Sequence, residues 1–170
     1  MDAFEAIATK LDVKEFASRH VPKDVKAKIL EAARLTGSSM NTQHWRFIVV
    51  EEPTNLKKLA VDSTTGQWVA GADFAVIILT NPKIPGSFVD GGRVLQDMEV
   101  AAWNFGVASR LFTGIKQDDV RRDFGVPSEL VPGTILGFGY PKHKIRGRKN
   151  RKPIGELVFS ESYGNTLSLK

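Results

Sequence analysis

Three short apolar runs, each halted by a proline, constrain this chain more than any other feature. RFIVVEE stops at Pro53, FAVIILTN at Pro82 and TILGFGY at Pro141. Each is rich in β-branched or bulky apolar residues and short for a helix, so each is expected to be a buried strand. Between them the period changes to that of a helix. PKDVKAKILEAARL places Val25, Ile29, Ala32 and Ala33 on one face, behind a proline, Pro22, that suits a helix N-terminus. DGGRVLQDMEVAAWNFGVASRL repeats Val94, Leu95, Met98, Ala101, Ala102 and Phe105 at helical spacing, with Asp90 as the expected cap. Its small apolar residues run around much of the circumference, which predicts a helix packed on more than one side. QDDVRRDFGVP reads as another helix, stopped by Gly125 and Pro127. From periodicity alone, helices alternating with apolar strands suggest a doubly wound α/β domain.

At 170 residues and 42% hydrophobic content, the chain suits one domain spanning 1–170. No run reaches the roughly eighteen apolar residues that a membrane span needs, and MDAFEAIATKLD opens with acids, so a soluble, cytoplasmic protein is expected. With no cysteine and three scattered histidines, disulfides, thiolate sites and cysteine nucleophiles are excluded and no metal centre is expected. The net charge of +5 is local: KHKIRGRKNRK, residues 142–152, holds seven Lys and Arg and no acid. Such a run can serve RNA, a membrane surface or a compact anion such as a cofactor phosphate. No aromatic residue interleaves it, as a base-stacking surface would need.

Hydrolase and phosphate-loop signatures are missing: there is no GxSxG, GxxxxGK[ST] or strand-linked GxGxxG. The glycines of GFGYP mark a turn. Glu51 with Glu52, and Asp118 with Asp119, sit at element ends, where solvation or the helix dipole accounts for them. What remains suits ligand holding: Lys10, Asp12 and Lys14; the polar stretch GSSMNTQHW; and Lys149 with Arg151. Each also has a plain structural reading. Lys10 and Lys14, four apart, would share a helix face. Asp12 and Glu15 could cap a helical turn, and Ser38 and Ser39 could satisfy free groups at a helix end.

Read in order, KLDVKEF, GSSMNTQHWRF, AAWNFGVAS, GFGYP and RKNRKPIGELV resemble the nitroreductase family of FMN-dependent oxidoreductases. That family carries Arg-Arg-Ser-x-Arg-x-Phe, then Pro-Ser-x-x-Asn-x-Gln-Pro-Trp running into a strand, an alanine-rich helix ending in Gly-Leu-Gly-Ser, Gly-Tyr-Pro and a late basic pair. The likeness covers residues 4 to 164. It implies an α+β fold in place of the doubly wound one: a mixed, mostly antiparallel central sheet flanked by helices, in an interlocked homodimer with FMN at the interface. It also implies that Lys10, Lys149 and Arg151 meet the FMN phosphate, and that Lys14 approaches the polar edge of the isoalloxazine. Ser38, Ser39 and Asn41 would reach the flavin from the other subunit. Gln67 would reach the ring, and Thr113 and Gly114 would line its N5. Three departures stand out: Asp12 replaces a serine, Leu11 a basic residue, and Gly37 and His44 two prolines. Asp12 is then expected near the phosphate or the ribityl hydroxyls.

The activity so implied moves two electrons from NADH or NADPH through FMN to a small acceptor (nitroaromatic, quinone or flavin) by a ping-pong mechanism, with no catalytic side-chain acid or base and Lys14 as charge stabiliser. Sister activities on the same scaffold, reductive dehalogenation or flavin fragmentation, are the alternatives within enzymes. A basic RNA-binding module using residues 142–152 is the alternative outside them, although no nucleic acid or membrane partner is expected.

Overall fold

The computed structural model describes residues 1–168. Its centre is a four-stranded sheet in the order β1-β2-β4-β3, formed by β1 Arg46–Val50, β2 Phe74–Thr80, β3 Ala108–Phe112 and β4 Val131–Gly139. Every ladder is antiparallel, and among the described residues the one parallel contact is a bridge between Asp12 and Ser109. The doubly wound arrangement suggested by periodicity is therefore wrong, and the α+β arrangement holds.

The reason lies in β2, where all seven residues are buried. Phe74, Val76 and Ile78 face one layer; Ala75, Ile77 and Leu79 face the other. The first layer packs against α2 (Lys23–Leu35) and α4 (Ser87–Asn104) through Ile29, Ala33, Val94, Met98 and Ala102. The second packs under α3 (Pro53–Val61) and α5 (Gln117–Phe124) through Leu56, Leu59 and Val120. A strand covered on both sides is apolar throughout, the pattern usually produced by parallel sheets. The two inner strands also stack Phe74 on Phe138, centroids 4.7 Å apart and planes 9° from parallel.

Three expectations about the elements change. The central helix ends at Asn104, and its expected continuation through Leu111 is strand β3. Gly106 at φ +72 turns the chain: its N–H donates to the Trp103 carbonyl, and the Val107 N–H to that of Ala102. Those paired bonds form a Schellman stop that a glycine takes without steric cost. Asp90 is not the cap, because α4 begins at Ser87 after Gly86. Lys10 and Lys14 do not share a helix face: α1 (Ala3–Thr9) ends at Lys10, and Lys14 follows in extended chain. Residues 12–17 instead run along the sheet margin, with the Val13 N–H on the Ser109 carbonyl and Phe16 bridged to Pro141.

Candidate functional site

The chain returns from β4 along this same margin. The Lys142 N–H donates to the Glu15 carbonyl at 2.9 Å, and the Lys149 ammonium reaches the Ile7 carbonyl on α1. The basic run is thus folded against the N-terminal segment, with an open cleft of ≈ 460 Å³ lined by residues 11–15 and 143–146. Lys14, Lys144 and Arg146 contribute to its walls and form no hydrogen bond or ion pair among the described residues. Arg151 is exposed beyond it, its guanidinium on the Asn150 carbonyl. These cations form a surface able to attract an anion.

Lys10 behaves differently from the rest. It is 9% exposed, and its ammonium donates to Glu99 Oε1 at 2.7 Å and Asp12 Oδ1 at 2.6 Å. Ser109 Oγ completes the group by donating to Glu99 Oε1 at 3.1 Å. Glu99 is 3% exposed, whereas half of the Asp12 side chain faces solvent. The Lys10 ammonium, expected from the sequence at a cofactor phosphate, is engaged here by these two carboxylates. Asp12 shares the Lys10 ammonium with Glu99 and caps no helical turn.

Residues 37–45 form a second constellation at the other end of α4. Ser38 Oγ accepts from the Gln43 N–H, and Asn41 Oδ1 accepts from the Gln43 side-chain amide. Met40, Asn41 and Gln43 all have φ near +50, a left-handed conformation that asparagine tolerates and the other two adopt at some cost. What holds this backbone is Asp90, whose Oδ2 accepts from the Ser39 N–H at 2.9 Å and lies 3.3 Å from His44 Nε2. On the other side of that ring, Nδ1 faces the Asn81 N–H, which can only donate, so the proton belongs on Nε2 and points at Asp90. Burial alone would raise the Asp90 carboxyl, but the Ser39 N–H, His44 and Arg93 outweigh it and hold it below its ordinary value.

The remaining residues form a third group. Gly114 exchanges backbone and side-chain bonds with Thr64 and Thr65, and the Gln67 side chain turns back to the Ser63 carbonyl. Thr113 lines a small apolar cavity of ≈ 210 Å³ under Phe88, Gly91 and Leu95 of α4. Its place, four residues along β3 from Ser109, puts it about 13 Å from the Lys10 cluster.

One chain does not gather all these residues around one point. Asp90 and Glu99 are nine residues apart on α4, about 13 Å along its axis. The loop leads into β1 and the Lys10 segment lies beside β3, at opposite margins of the sheet. Glu99 and Ser109, which sequence reasoning missed, fasten one segment, while Lys144 and Arg146 of the basic run line the cleft. The available signal for Glu99 was a lone acid in the apolar stretch MEVAAW.

Comparison with known proteins identifies the family. A model of the nitroreductase family matches residues 7–80. A protein of Methanothermobacter thermautotrophicus, provisionally named NADH dehydrogenase/NAD(P)H nitroreductase, is 31% identical over 150 residues, covering 83% of this chain and 78% of its own. An Archaeoglobus fulgidus protein of the same provisional name is 28% identical, covering 83% and 86%. Among solved structures, a nitroreductase family protein from Clostridium difficile 630 superposes with a TM-score of 0.85 at 25% identity, covering 95% of this chain and 99% of its own. An FMN-dependent nitroreductase from Clostridium difficile R20291 shares the fold with a TM-score of 0.84 at 21% identity, covering 91% and 96%. This chain belongs to the nitroreductase family.

Proposed function

We propose that this protein is an FMN-dependent oxidoreductase that passes two electrons from NADH or NADPH to a small acceptor, working as a homodimer. The observation that carries the reading is the cationic cleft between the N-terminal segment and the basic run. FMN has an anionic end, and the donor chemistry fits it: Lys14, Lys144 and Arg146 in the cleft, with Lys149 and Arg151 beyond, outnumber the nearby carboxylates. When bound, FMN would supply a reversible two-electron centre able to accept hydride from a nicotinamide.

The chain's own work is then binding and positioning. Lys149 and Arg151 would hold the phosphate, and the fixed charge of Lys14 would favour negative charge on the ring. Ser38, Ser39 and Asn41 lie too far along α4 from this cleft to serve the same copy, which favours a second copy supplying them. Gln67 and the backbone at Thr113 and Gly114 would border the ring from the far end of β3. No side chain in this set needs to give or take a proton. Phe4, at 80% exposed, Leu35, at 66%, and Ile7 leave an apolar face on α1 and α2, which suits a subunit interface.

The test is optical. Protein loaded with FMN should be yellow and should bleach under anaerobic conditions on adding NADH or NADPH, then recover its colour with a quinone or nitroaromatic. A protein that cannot be loaded with FMN would end this reading.

A further inference from the structure

Lys10 is the cation that a phosphate site beside α1 would most readily recruit, yet it is spent inside the fold. Its ammonium donates to two carboxylates, at 2.7 Å from Glu99 and 2.6 Å from Asp12. Of the two, Glu99 controls the geometry. It is nearly inaccessible and fixed by Ser109 Oγ, whereas the Asp12 side chain is half in solvent. A buried carboxylate without its cation is costly, so Lys10 is held inward by Glu99's need of it. The Lys10, Asp12 and Glu99 cluster carries one net negative charge on the wall from which a positive one is expected.

Resting on the FMN reading above, we propose that Glu99 is a positioning residue that sets the protein's preference for phosphorylated over unphosphorylated flavin by withholding Lys10 from the phosphate. The phosphate is then clamped from one side only, by Lys149 and Arg151 of the basic run, while Asp12 partly opposes it. Discrimination between FMN and riboflavin is correspondingly small. Neutralising Glu99 frees Lys10 to turn outward and removes one negative charge from the cluster. Removing Lys10 and Glu99 together leaves the cluster's net charge unchanged.

The experiment measures dissociation constants for FMN and riboflavin by quenching of flavin fluorescence, in wild type, Glu99→Gln and the double variant Lys10→Met with Glu99→Leu. The readout is the ratio of the riboflavin constant to the FMN constant. The double replacement exchanges a buried ion pair for apolar side chains of similar length, a change that proteins often accept, and far-ultraviolet circular dichroism verifies the fold. Glu99→Gln should raise the ratio about fivefold, the effect of one charge near a phosphate at moderate screening. The double variant should stay within about twofold of wild type. An unchanged ratio in folded Glu99→Gln overturns the proposal, and so does a loss of about tenfold or more in the double variant's ratio, which would mean that Lys10 touches the phosphate directly. Wild-type protein that binds neither flavin overturns the FMN reading and this proposal together, an outcome distinct from measurable binding with an unmoved ratio.

Discussion

The two ends of α4 solve the same problem with opposite chemistry. Near its start, Asp90 is buried and fastens the loop at residues 37–45; farther along, Glu99 is buried and fastens the segment after α1. Asp90 lies in the first turn, where the helix dipole favours a negative charge, and a backbone N–H, an imidazole and the half-exposed Arg93 guanidinium 3.7 Å away complete it. Glu99 lies in the second half of the helix, where that field gives no help, and it takes a full ammonium. The first arrangement shapes backbone; the second consumes a charge. Both coincide with departures from the family pattern, since His44 stands in place of a loop proline and Asp12 in place of a serine.

The largest break in this comparison should come from Lys10→Ala. It strands Glu99 in the core, and loss of one partner of a buried pair costs about 3–5 kcal/mol. At this chain length that corresponds to a fall in melting temperature of roughly 10 °C, measurable by thermal circular dichroism. Glu99→Gln should cost clearly less, because it leaves no carboxylate stranded in the core. Equal losses for the two variants would show that Glu99 is not the anchor.

Asp90→Ala comes next. It leaves the Ser39 N–H and His44 Nε2 without their acceptor, at about 2 kcal/mol by urea denaturation. The effect should be local as well: hydrogen exchange at Ser39 should accelerate while β2 amides stay protected. The dependence on pH has a definite sign. A carboxyl held below its ordinary value stabilises the fold fully above that value, and the contribution disappears as pH falls through the lowered folded-state value. The gap between wild type and Asp90→Asn should therefore be open at neutral pH and close in acid below the usual carboxylate range.

The same contrast explains what was readable in the sequence. β1, β2 and β4 were visible because unbroken apolar, β-branched runs admit few alternatives. Their direction was not, because helices on both faces remove the alternation that marks an antiparallel sheet with one wet side. β3 escaped because Ser109 and Arg110 interrupt it and it follows α4 with only Phe105, Gly106 and Val107 between. α3 is a nine-residue helix that gave too few turns for its period to stand out. For the candidate site, the clustering of polar and basic residues was legible in the quoted segments. The partner of Lys10 was not, since Glu99 is 89 positions away and the pairing depends on how α1 meets α4.

The smallest effect sharpens the comparison from outside it. Asp62, at the end of α3, is 4% exposed, and its Oδ2 has no hydrogen-bond partner among the described residues. It is what Asp90 or Glu99 would be without an anchor. Burial, reinforced by Asp123 and Asp119, pushes its carboxyl above the ordinary value. The sign therefore reverses: the folded state holds that proton more tightly than the unfolded chain, so stability is lost as pH rises from the ordinary carboxylate range through the raised value. Asp62→Asn removes the charge while keeping the shape, and should stabilise the protein by about 1 kcal/mol at neutral pH, with the gain vanishing in acid. Urea melts at neutral and acidic pH provide the measurement. A loss of stability at neutral pH would mean that Asp62 is partnered, and that burial of a carboxylate in this fold always comes with an anchor.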